Sequence, residues 1–392
     1  MFQPLGDIRV LDLTRVLAGP SCTQHLADLG AEVWKVESMV GDETRQWGPP
    51  SVDVDGEAMS AYYLCANRGK KSICIDLKQP EGADLVRQLA AKADVLVENF
   101  KVGDLARYGL DFESLSSLNP KLIYASITGF GQTGPRRHEP GYDAAMQAMT
   151  GIMSVTGEAD GGPSKVGVAW IDIMTGWVCS TAILAALHSG KGQHLDISLF
   201  DVGLSALANV GQSALCTGND PKRFGNAHPQ IVPYQTFLCA DGHVMICVGN
   251  DAQFAALCGQ FDDPQATELA QFKTNAERVA HREQVVELVQ SLISELSRED
   301  VIRKLKFAGV PGGAIQSIPE ALADPQSIAR GSVVNIGGLK LLQSPLVHHV
   351  PASELNQSRP PKLGEHTIEI LESVLEMPKE VVASLLDRKV VR

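Results

Sequence analysis

The sequence predicts an α/β protein built on a doubly wound, Rossmann-like parallel sheet, followed by a smaller α+β domain. Short runs rich in Val, Ile and Leu alternate with amphipathic helical segments through the N-terminal half, a pattern typical of parallel strands covered on both faces. Beyond residue 235 the pattern changes to a strand pair followed by helices. A chain of 392 residues is also too long for one ordinary core, so two domains are expected.

The first predicted elements form a β-α-β unit. A strand is predicted at residues 8–13, a helix at 21–29 that Gly30 closes, and a strand at 31–37; the crossover should be right-handed. The pattern then repeats, with strands predicted at 71–77, 94–97, 122–127 and 194–199 and helices at 80–91, 177–188 and 200–217.

The later elements predict the smaller domain. Asp241-Gly242 is a hairpin signal between strands predicted at 237–239 and 244–248. Helices are predicted at 251–261, 278–296, 298–308 and 366–375. We divide the chain into a large domain at 1–220, a small domain at 221–329 and a C-terminal part at 330–392.

Composition limits the possible functions. The formal charge of −12 and the pI near 5.3 argue against nucleic acid, because a phosphate-binding face needs a basic excess. The eight cysteines never fall as CxxC and predict reduced thiols rather than a zinc site. The N-terminus lacks the features of a secretory signal, and the apolar helix predicted at Trp177–Leu187 is shorter than the ~18 residues of a membrane span. We therefore expect a cytoplasmic protein without metal or membrane contact.

A GxGxxG pattern, Gly129 to Gly134, directly follows a predicted strand. A dinucleotide site would need a helix to open at the third glycine, so that its N-terminus meets the pyrophosphate. The segment from Pro135 to Pro140 is instead rich in turn formers, which argues against NAD. The glycines are expected to let the backbone pass close to a ligand or a neighbouring chain.

A single carboxylate, Asp172, lies between an apolar run that ends at Ile171 and the helical segment that starts at Trp177. At such a junction, the free N–H groups of the first turn and the helix dipole should keep Asp172 ionised at neutral pH. From this stretch alone two roles are open, an N-cap, which is the simpler one, and an exposed nucleophile. Farther along, residues 223–234 combine turn formers with Arg223 and His228, side chains that position anionic ligands from loops.

Taken together, these stretches resemble the class III CoA-transferases, a family that also contains the α-methylacyl-CoA racemases. The resemblance covers nearly the whole chain, and residues 223–237 are most similar to the succinyl-CoA:glutarate (dicarboxylate) branch. It is carried, in the family's order, by residues 10–20, 29–37, 41–45, 67–73, 94–100, 126–135, 141–143, the Asp172 stretch and 364–367.

The resemblance implies a CoA-transferase in which Asp172 is the nucleophile and an acyl-CoA donor, such as succinyl-CoA, reacts through an aspartyl mixed anhydride. It implies Arg223 and His228 as substrate contacts, and an interlocked homodimer whose C-terminal part returns to the large domain. Asp143 either orients the anhydride or caps a helix. The implied CoA contacts are Val16, Ala18, Ile75, Lys78, Asn99, Phe100, Arg107, Tyr142 and Asp143; Lys78 and Arg107 offer charge that matches phosphate.

Two alternatives and two departures stay open at this point. A racemase needs a His-Asp pair where this chain has Tyr142-Asp143, and Tyr is a poor base near neutral pH. The second alternative is a non-catalytic CoA-binding protein, and only the presence of Asp172 argues against it. Ser38 replaces a cofactor-contacting Arg of formyl-CoA transferase, which weakens the adenine-phosphate assignment there, and Leu17 replaces a Gln, which argues against oxalate or formate as substrate.

Overall fold

The computed structural model describes residues 2–351, 354–355 and 357–392. Its strands are β1 (Arg9–Asp12), β2 (Glu32–Glu37), β3 (Ser51–Val54), β4 (Glu57–Ser60), β5 (Lys70–Cys74), β6 (Val95–Glu98), β7 (Ile123–Thr128), β8 (Gln193–Ser198), β9 (Tyr234–Cys239), β10 (Gly242–Cys247), β11 (Gly312–Ala314), β12 (Val333–Ile336) and β13 (Leu339–Leu342).

The helices are α1 (Ala18–Asp28), α2 (Ala61–Leu64), α3 (Pro80–Lys92), α4 (Phe112–Leu118), α5 (Asp143–Met149), α6 (Ile152–Val155), α7 (Trp170–Ser189), α8 (Leu199–Ser205), α9 (Ala208–Thr217), α10 (Asp251–Gln260), α11 (Asn275–Ala280), α12 (Arg282–Ile293), α13 (Arg298–Ala308), α14 (Ile318–Ala323), α15 (Pro325–Ala329), α16 (Thr367–Ser373) and α17 (Lys379–Asp387). Short 3₁₀ turns lie at Glu43–Gln46, Ala106–Tyr108, Pro264–Glu268, Ala270–Phe272 and Pro345–Val347.

The first of two compact units comprises residues 1–152, 166–217 and 325–392. Its centre is a six-stranded parallel sheet in the order β5-β2-β1-β6-β7-β8, which confirms the predicted parallel sheet. Apolar clusters cover both faces, because neighbouring residues of β1 point in opposite directions: Leu11 packs in one cluster with Leu89 of α3 and Ile370 of α16. Val10 packs in the other with Leu26 of α1 and Ile183 of α7.

The second unit comprises residues 153–165 and 218–324. Its antiparallel sheet has the order β11-β10-β9, and β9 and β10 form the hairpin that Asp241-Gly242 predicts. Phe237 and Ile246 of this sheet share an apolar core with Phe254 of α10, Val289 of α12 and Leu305 of α13. The unit is thus an α+β arrangement, as its sequence indicates.

Several helix bounds differ from the prediction. Residues 200–217 form two helices, α8 and α9, because the chain turns at Ala208, whose φ is 45°. The β3–β4 hairpin at Asp55-Gly56 and the β12–β13 hairpin at Gly337-Gly338 were not predicted, although Asp-Gly and Gly-Gly are both hairpin signals.

Helix α7 begins at Trp170, seven residues before the predicted start, and has 20 residues. The expectation that this segment is too short for a membrane span is therefore wrong, since by length and composition alone α7 is long and apolar enough. Its buried residues Ile171, Cys179 and Ile183 pack in the protein's own apolar cluster with α1 and the sheet. The earlier start also places Asp172 inside the first helical turn.

Candidate active site

The candidate site lies where the strand order of the parallel sheet reverses. The chain runs outward from β1 through β2 to β5 and then returns to place β6 on the other side of β1. In open α/β sheets, ligands bind outside the carboxyl ends of the strands at such a point. The loops that leave β1 and β6 there carry the predicted CoA contacts Val16, Ala18, Asn99 and Phe100.

The loop after β1 is held in a strained conformation by side chains. Val16 has a φ of 71°, in the left-handed region that β-branched residues rarely adopt. The side chain of Asn99 binds the backbone of Arg15, the residue before Val16. Its Oδ1 accepts the N–H of Arg15 at 3.0 Å, and its Nδ2 donates to the carbonyl of Arg15 at 2.8 Å. Lys35 Nζ donates to the carbonyl of Thr14 at 2.8 Å. The loop that faces the site is therefore fixed from both sides.

Buried ion pairs lie directly beneath this loop. Lys70 Nζ is 3.0 Å from Asp12 Oδ2, and Lys35 Nζ is 3.1 Å from Asp42 Oδ2, with all four side chains inaccessible to solvent. Burial lowers the pKa of Lys70 to about 8 although Asp12 opposes that change. Removing one partner of such a pair would leave an uncompensated buried charge. These pairs therefore hold the residues beneath the loop in one arrangement.

Asp172 is 8% exposed and lies in the first turn of α7. It does not cap that helix, so the N-cap alternative is wrong. Asp143 provides the cap from another segment: its Oδ2 accepts the N–H groups of Ile171 at 2.8 Å and Asp172 at 3.3 Å. Gln147 Nε2 donates to the other oxygen of Asp143 at 2.6 Å. Within the described residues, no group donates a hydrogen bond to the side-chain oxygens of Asp172.

The environment of Asp172 changes its acidity in the direction opposite to the expected one. Burial, and then the negative charge of Asp143, raise the pKa of Asp172 to about 7. The sequence-based expectation of a fully ionised carboxylate at neutral pH is therefore wrong. The helix N-terminus does not dominate, because Asp143 already accepts its N–H groups and adds a like charge.

Two cavities of the first unit bring the predicted residues together. A cavity of about 180 Å³ is lined by Asp172 together with Val16, Ala18, Asn99, Phe100 and Tyr142. A cavity of about 420 Å³ is lined by Ile75, Lys78, Phe100 and Arg107. Both walls include Arg15, Glu43 and Phe100, so the cavities adjoin. Asp143 lines neither of these two cavities, and contact of the predicted residues with CoA stays a prediction.

The two predicted substrate residues belong to the second unit. The guanidinium of Arg223 donates to the carbonyls of Ser154 at 3.2 Å, Glu158 at 3.4 Å and Gly161 at 2.7 Å. His228 Nδ1 accepts the N–H of Gln230 at 3.1 Å. These contacts tie each side chain to its own unit, and a role in substrate binding stays a prediction for both.

The sequence analysis did not identify some of the residues that lie near Asp172. Arg137 and His138 line its cavity; they follow the GxGxxG pattern, where turn chemistry gives no sign of their direction. No helix opens at Gly134, and the next helix is α5. A Cβ at Gly129 would lie 2.9 Å from Gly141 Cα, so this glycine serves a close approach between two segments of the same chain.

Two more ionisable groups lie around the site. Burial, and then the charge of Asp172, raise the pKa of Tyr62 to about 12. Glu98, at the end of β6, accepts the N–H of Phe100 at 2.7 Å, and burial raises its pKa to about 7. Among the residues that the structure describes, no three His, Cys, Asp or Glu side chains are grouped to hold a metal ion.

Comparison with known proteins gives consistent matches over the chain. The sequence profile of CoA-transferase family III matches residues 5–367. A succinate–glutarate CoA-transferase from Agrobacterium fabrum is 48% identical over 94% of this chain and 95% of its own length. The succinyl-CoA:glutarate CoA-transferase of Homo sapiens is 38% identical over 99% of this chain and 90% of its own. A solved CAIB/BAIF family protein from Brucella suis superposes with a TM-score of 0.85 at 46% identity, over 94% of this chain and 99% of the other.

Proposed function

This chain belongs to CoA-transferase family III and is a CoA-transferase, and from that premise we propose that it transfers CoA between dicarboxylic acids through an anhydride at Asp172. The observation that carries the proposal is the free carboxyl group of Asp172 in a cavity wall. That cavity adjoins the larger one with Lys78 and Arg107, two cations suited to the phosphates of CoA.

The first half of the proposed reaction moves the acyl group to the enzyme. An oxygen of the Asp172 carboxylate attacks the thioester carbonyl of the donor, and a tetrahedral oxyanion forms. Its collapse breaks the C–S bond, so that CoA leaves as a thiolate and the acyl group stays on Asp172 as a mixed anhydride. The CoA thiolate then attacks Cγ of Asp172, which releases the donor acid and leaves an aspartyl-CoA thioester.

The second half runs the same steps in reverse with another acid. The acceptor carboxylate attacks Cγ of Asp172 and expels the CoA thiolate, and a second mixed anhydride forms. The thiolate then attacks the acceptor's carbonyl carbon, which yields the new acyl-CoA and restores the Asp172 carboxylate. Every step exchanges one anionic nucleophile for one anionic leaving group, so the cycle consumes no net proton.

Three features of the cavity support this chemistry. A carboxylate is a weak nucleophile, and placing it against the carbonyl supplies up to roughly 7–11 kcal/mol of the barrier. The raised pKa of Asp172 makes its ionised form more basic than an ordinary carboxylate. Helix α1 begins at Ala18 in the same wall without a side-chain cap, so the N–H groups of Ala18 and Gly19 are available to a developing oxyanion, whereas Pro20 has none.

The substrate class follows from the relatives. The similar proteins from Agrobacterium fabrum and Homo sapiens are named for succinate or succinyl-CoA and glutarate. We extend this to a succinyl-CoA-like donor and a dicarboxylic acceptor here. Arg223 and His228 stay predicted substrate contacts.

A racemase reaction is the alternative on this fold, and the site disfavours it. Tyr142 stands where a catalytic His would be needed and is 62% exposed. Both oxygens of Asp143 are already engaged, one by Gln147 and the other by the first turn of α7. At the position of the racemase His-Asp pair, neither side chain is therefore suited to proton transfer, and we expect no exchange of the α-hydrogen of an acyl-CoA in deuterated solvent.

The nucleophile is tested by trapping. Incubation with succinyl-CoA and hydroxylamine should release CoA and place a hydroxamate on Asp172, read from peptide masses. Asp172→Asn should release none. Asp201→Asn is the matched control, since Asp201 occupies the equivalent first-turn position of α8, and it should react like the unaltered protein. A hydroxamate on another carboxyl group, or turnover in Asp172→Asn, would refute the proposed mechanism.

We also propose that the protein forms a homodimer, as the resemblance implies, and that it lies in the cytoplasm, as the reduced cysteines indicate. In support of self-association, no residue of α9 is buried, and Leu215 in α9 and Leu204 in α8 are 82% and 44% exposed. Exposed apolar surface of this kind marks interfaces. Leu204→Glu with Leu215→Glu should yield monomers by light scattering, whereas Leu118→Glu on α4, 57% exposed, should not.

A further inference from the structure

A dicarboxylate substrate makes a specific demand on the cavity beside Asp172. When the thioester carbonyl lies against Asp172, a succinyl group carries a second carboxylate into the same small space. The wall already contains the acidic side chains of Glu43, Glu139 and Asp172. An additional negative charge there needs a cationic partner, because an unpaired charge in a partly desolvated site is costly.

Three cations line the smaller cavity, namely Arg15, Lys101 and Arg137. Arg15 also lines the larger cavity, with its guanidinium 5.0 Å from the ring centre of Phe100. It therefore lies at the junction that the CoA arm must cross. Lys101 and Arg137 line only the Asp172 cavity, and of these two Arg137 alone has the planar fork that matches a carboxylate.

The geometry around Arg137 leaves that fork free. Its Nε donates to His138 Nε2 at 3.0 Å, which fixes one edge of the guanidinium. Within the described parts of the chain, its two Nη groups make no hydrogen bond and no carboxylate pairs with them. A guanidinium held at Nε presents its two Nη groups together, which is one of the arrangements that bind a carboxylate through two parallel hydrogen bonds.

The neighbouring arginine shows the contrast. Arg136 Nε and Nη2 both donate to Glu139 Oε2, at 3.0 and 2.8 Å. Its guanidinium also lies 4.2 Å from the ring centre of Phe130, and Arg136 does not line the cavity. Of these two adjacent arginines, Arg136 is paired with Glu139 of its own loop, whereas Arg137 lines the cavity beside Asp172.

We propose that Arg137 binds the distal carboxylate of the dicarboxylyl group, with His138 as its positioning residue, and thereby selects dicarboxylic substrates. This inference rests on the proposed function. Arg223 is less suited to the role, because its guanidinium donates to three backbone carbonyls within the second unit.

The test compares two thioesters of the same chain length. Succinyl-CoA carries the distal carboxylate and butyryl-CoA has a methyl group in its place. Because hydroxylamine traps Asp172 once per chain, the single-turnover rate of CoA release at increasing donor concentration gives a second-order rate constant for each donor, taken here as kcat/KM, without a dicarboxylic acceptor in the assay. Arg137→Gln should lower kcat/KM for succinyl-CoA roughly 10- to 100-fold, as expected for hydrogen bonds to a charged group, and change that for butyryl-CoA less than threefold. Arg137→Lys, which keeps the charge, should fall between.

Arg136→Gln is the matched control and should leave the ratio of the two kcat/KM values unchanged. An unchanged ratio in Arg137→Gln, with CoA still released, overturns this inference alone. A change of ratio in Arg223→Gln instead of Arg137→Gln also overturns it and assigns the carboxylate to Arg223. If the unaltered protein releases CoA from neither thioester, the proposed function fails and the inference falls with it.

Discussion

The carboxylate of Asp143 accepts the backbone N–H of Asp172 at 3.3 Å across 29 positions of sequence. This contact has two effects on the candidate nucleophile. It fixes the first turn of α7, so the Asp172 side chain leaves the helix in a defined direction. It also puts a second negative charge beside Asp172, which, after burial, helps to raise its pKa to about 7. Asp143 thus fixes the placement of Asp172 and adds to the effect of burial on its basicity.

The first prediction concerns pH. In the proposed mechanism Asp172 attacks as the ionised carboxylate, so kcat/KM for the acyl-CoA donor should rise with pH around a midpoint near 7 and level off above it. Asp143→Asn removes the neighbouring charge, so the pKa of Asp172 should fall and the midpoint of the profile should move to lower pH. The measurement is kcat/KM against pH for both proteins.

A control separates this effect from Glu98, whose pKa burial also raises to about 7. Glu98→Gln should leave the midpoint in place, because Glu98 accepts the N–H of Phe100 and does not attack the donor. A midpoint that follows Glu98→Gln and ignores Asp143→Asn would contradict the assignment to Asp172.

The second prediction is that the nucleophile reduces stability. The pKa of Asp172 in the folded chain, about 7, lies above its ordinary value of 3.8, so the folded chain binds this proton more tightly than the unfolded chain does. The ionised form therefore costs stability. The cost is absent below pH 4, grows between pH 4 and 7 and is complete above pH 7.

Asp172→Asn keeps the shape and removes the charge, so it should raise the free energy of unfolding at pH 8 by on the order of 2–4 kcal/mol. Denaturant titrations at pH 8 and pH 4 provide the measurement and its internal control, since the gain should vanish at pH 4. An equal gain at both pH values would show that the charge of Asp172 is not its cause.

The parallel sheet could be predicted from the sequence because its strands are short apolar runs that alternate with amphipathic helical segments. Consecutive strand residues such as Val10 and Leu11 point to opposite faces of the sheet, and both are apolar. Only a sheet that is covered on both faces buries the two side chains. The sequence also predicts a candidate site at the loops after β1 and β6, since these loops carry the resemblance to the family, and its use by CoA stays a prediction. The start of α7 could not be predicted, because Ala169 at its N-cap position has no capping side chain.

The cap of α7 comes from Asp143, and the sequence alone does not show that two residues so far apart in the chain meet. For the same reason the pKa of Asp172 was expected in the wrong direction, since burial, the larger cause of the shift, and the charge of Asp143 both arise from tertiary contacts. Arg137 was missed because a turn-rich loop has no periodicity from which the direction of a side chain could be read. The local sequence pattern predicts helices and strands, whereas the chemistry of this site depends on contacts between loops that are distant in the sequence.

The third prediction concerns Asn99, whose side-chain amide holds the backbone of Arg15 through both Oδ1 and Nδ2. In Asn99→Asp the carboxylate can still accept the N–H of Arg15 but would repel its carbonyl. The strained loop around Val16 should then relax, and KM for the acyl-CoA should rise by about tenfold, in line with the loss of one hydrogen bond and the pairing of two acceptors.

Asn119→Asp is the matched control for this change. Its Nδ2 donates to the carbonyl of Ala93 at 2.8 Å, so the same kind of bond is lost away from both cavities. We expect lower stability but an unchanged KM. An equal increase of KM in both variants would mean that Asn99 acts only through general stability.

The fourth prediction concerns the close approach of Gly141 to Gly129. A Cβ at Gly141 would lie 2.6 Å from Gly129 Cα and 2.8 Å from Met146 Cε. Since Gly129 directly follows β7, the segment that carries Tyr142 and Asp143 should yield in Gly141→Ala. Displacing Asp143 loosens its bonds to the first turn of α7 and moves Asp172, so kcat should fall roughly 10- to 100-fold, as for small misplacements of reacting groups.

Gly167→Ala is the control for this substitution, because a Cβ there meets nothing within 4 Å, although the residue lies near the start of α7. It should keep kcat within a factor of two. Steady-state rates with saturating donor and acceptor, together with the denaturation midpoint, distinguish a displaced nucleophile from partial unfolding. A Gly141→Ala protein with normal kcat would show that the segment from Gly141 to Asp143 tolerates displacement, and that the contact between Asp143 and α7 is not needed to position Asp172.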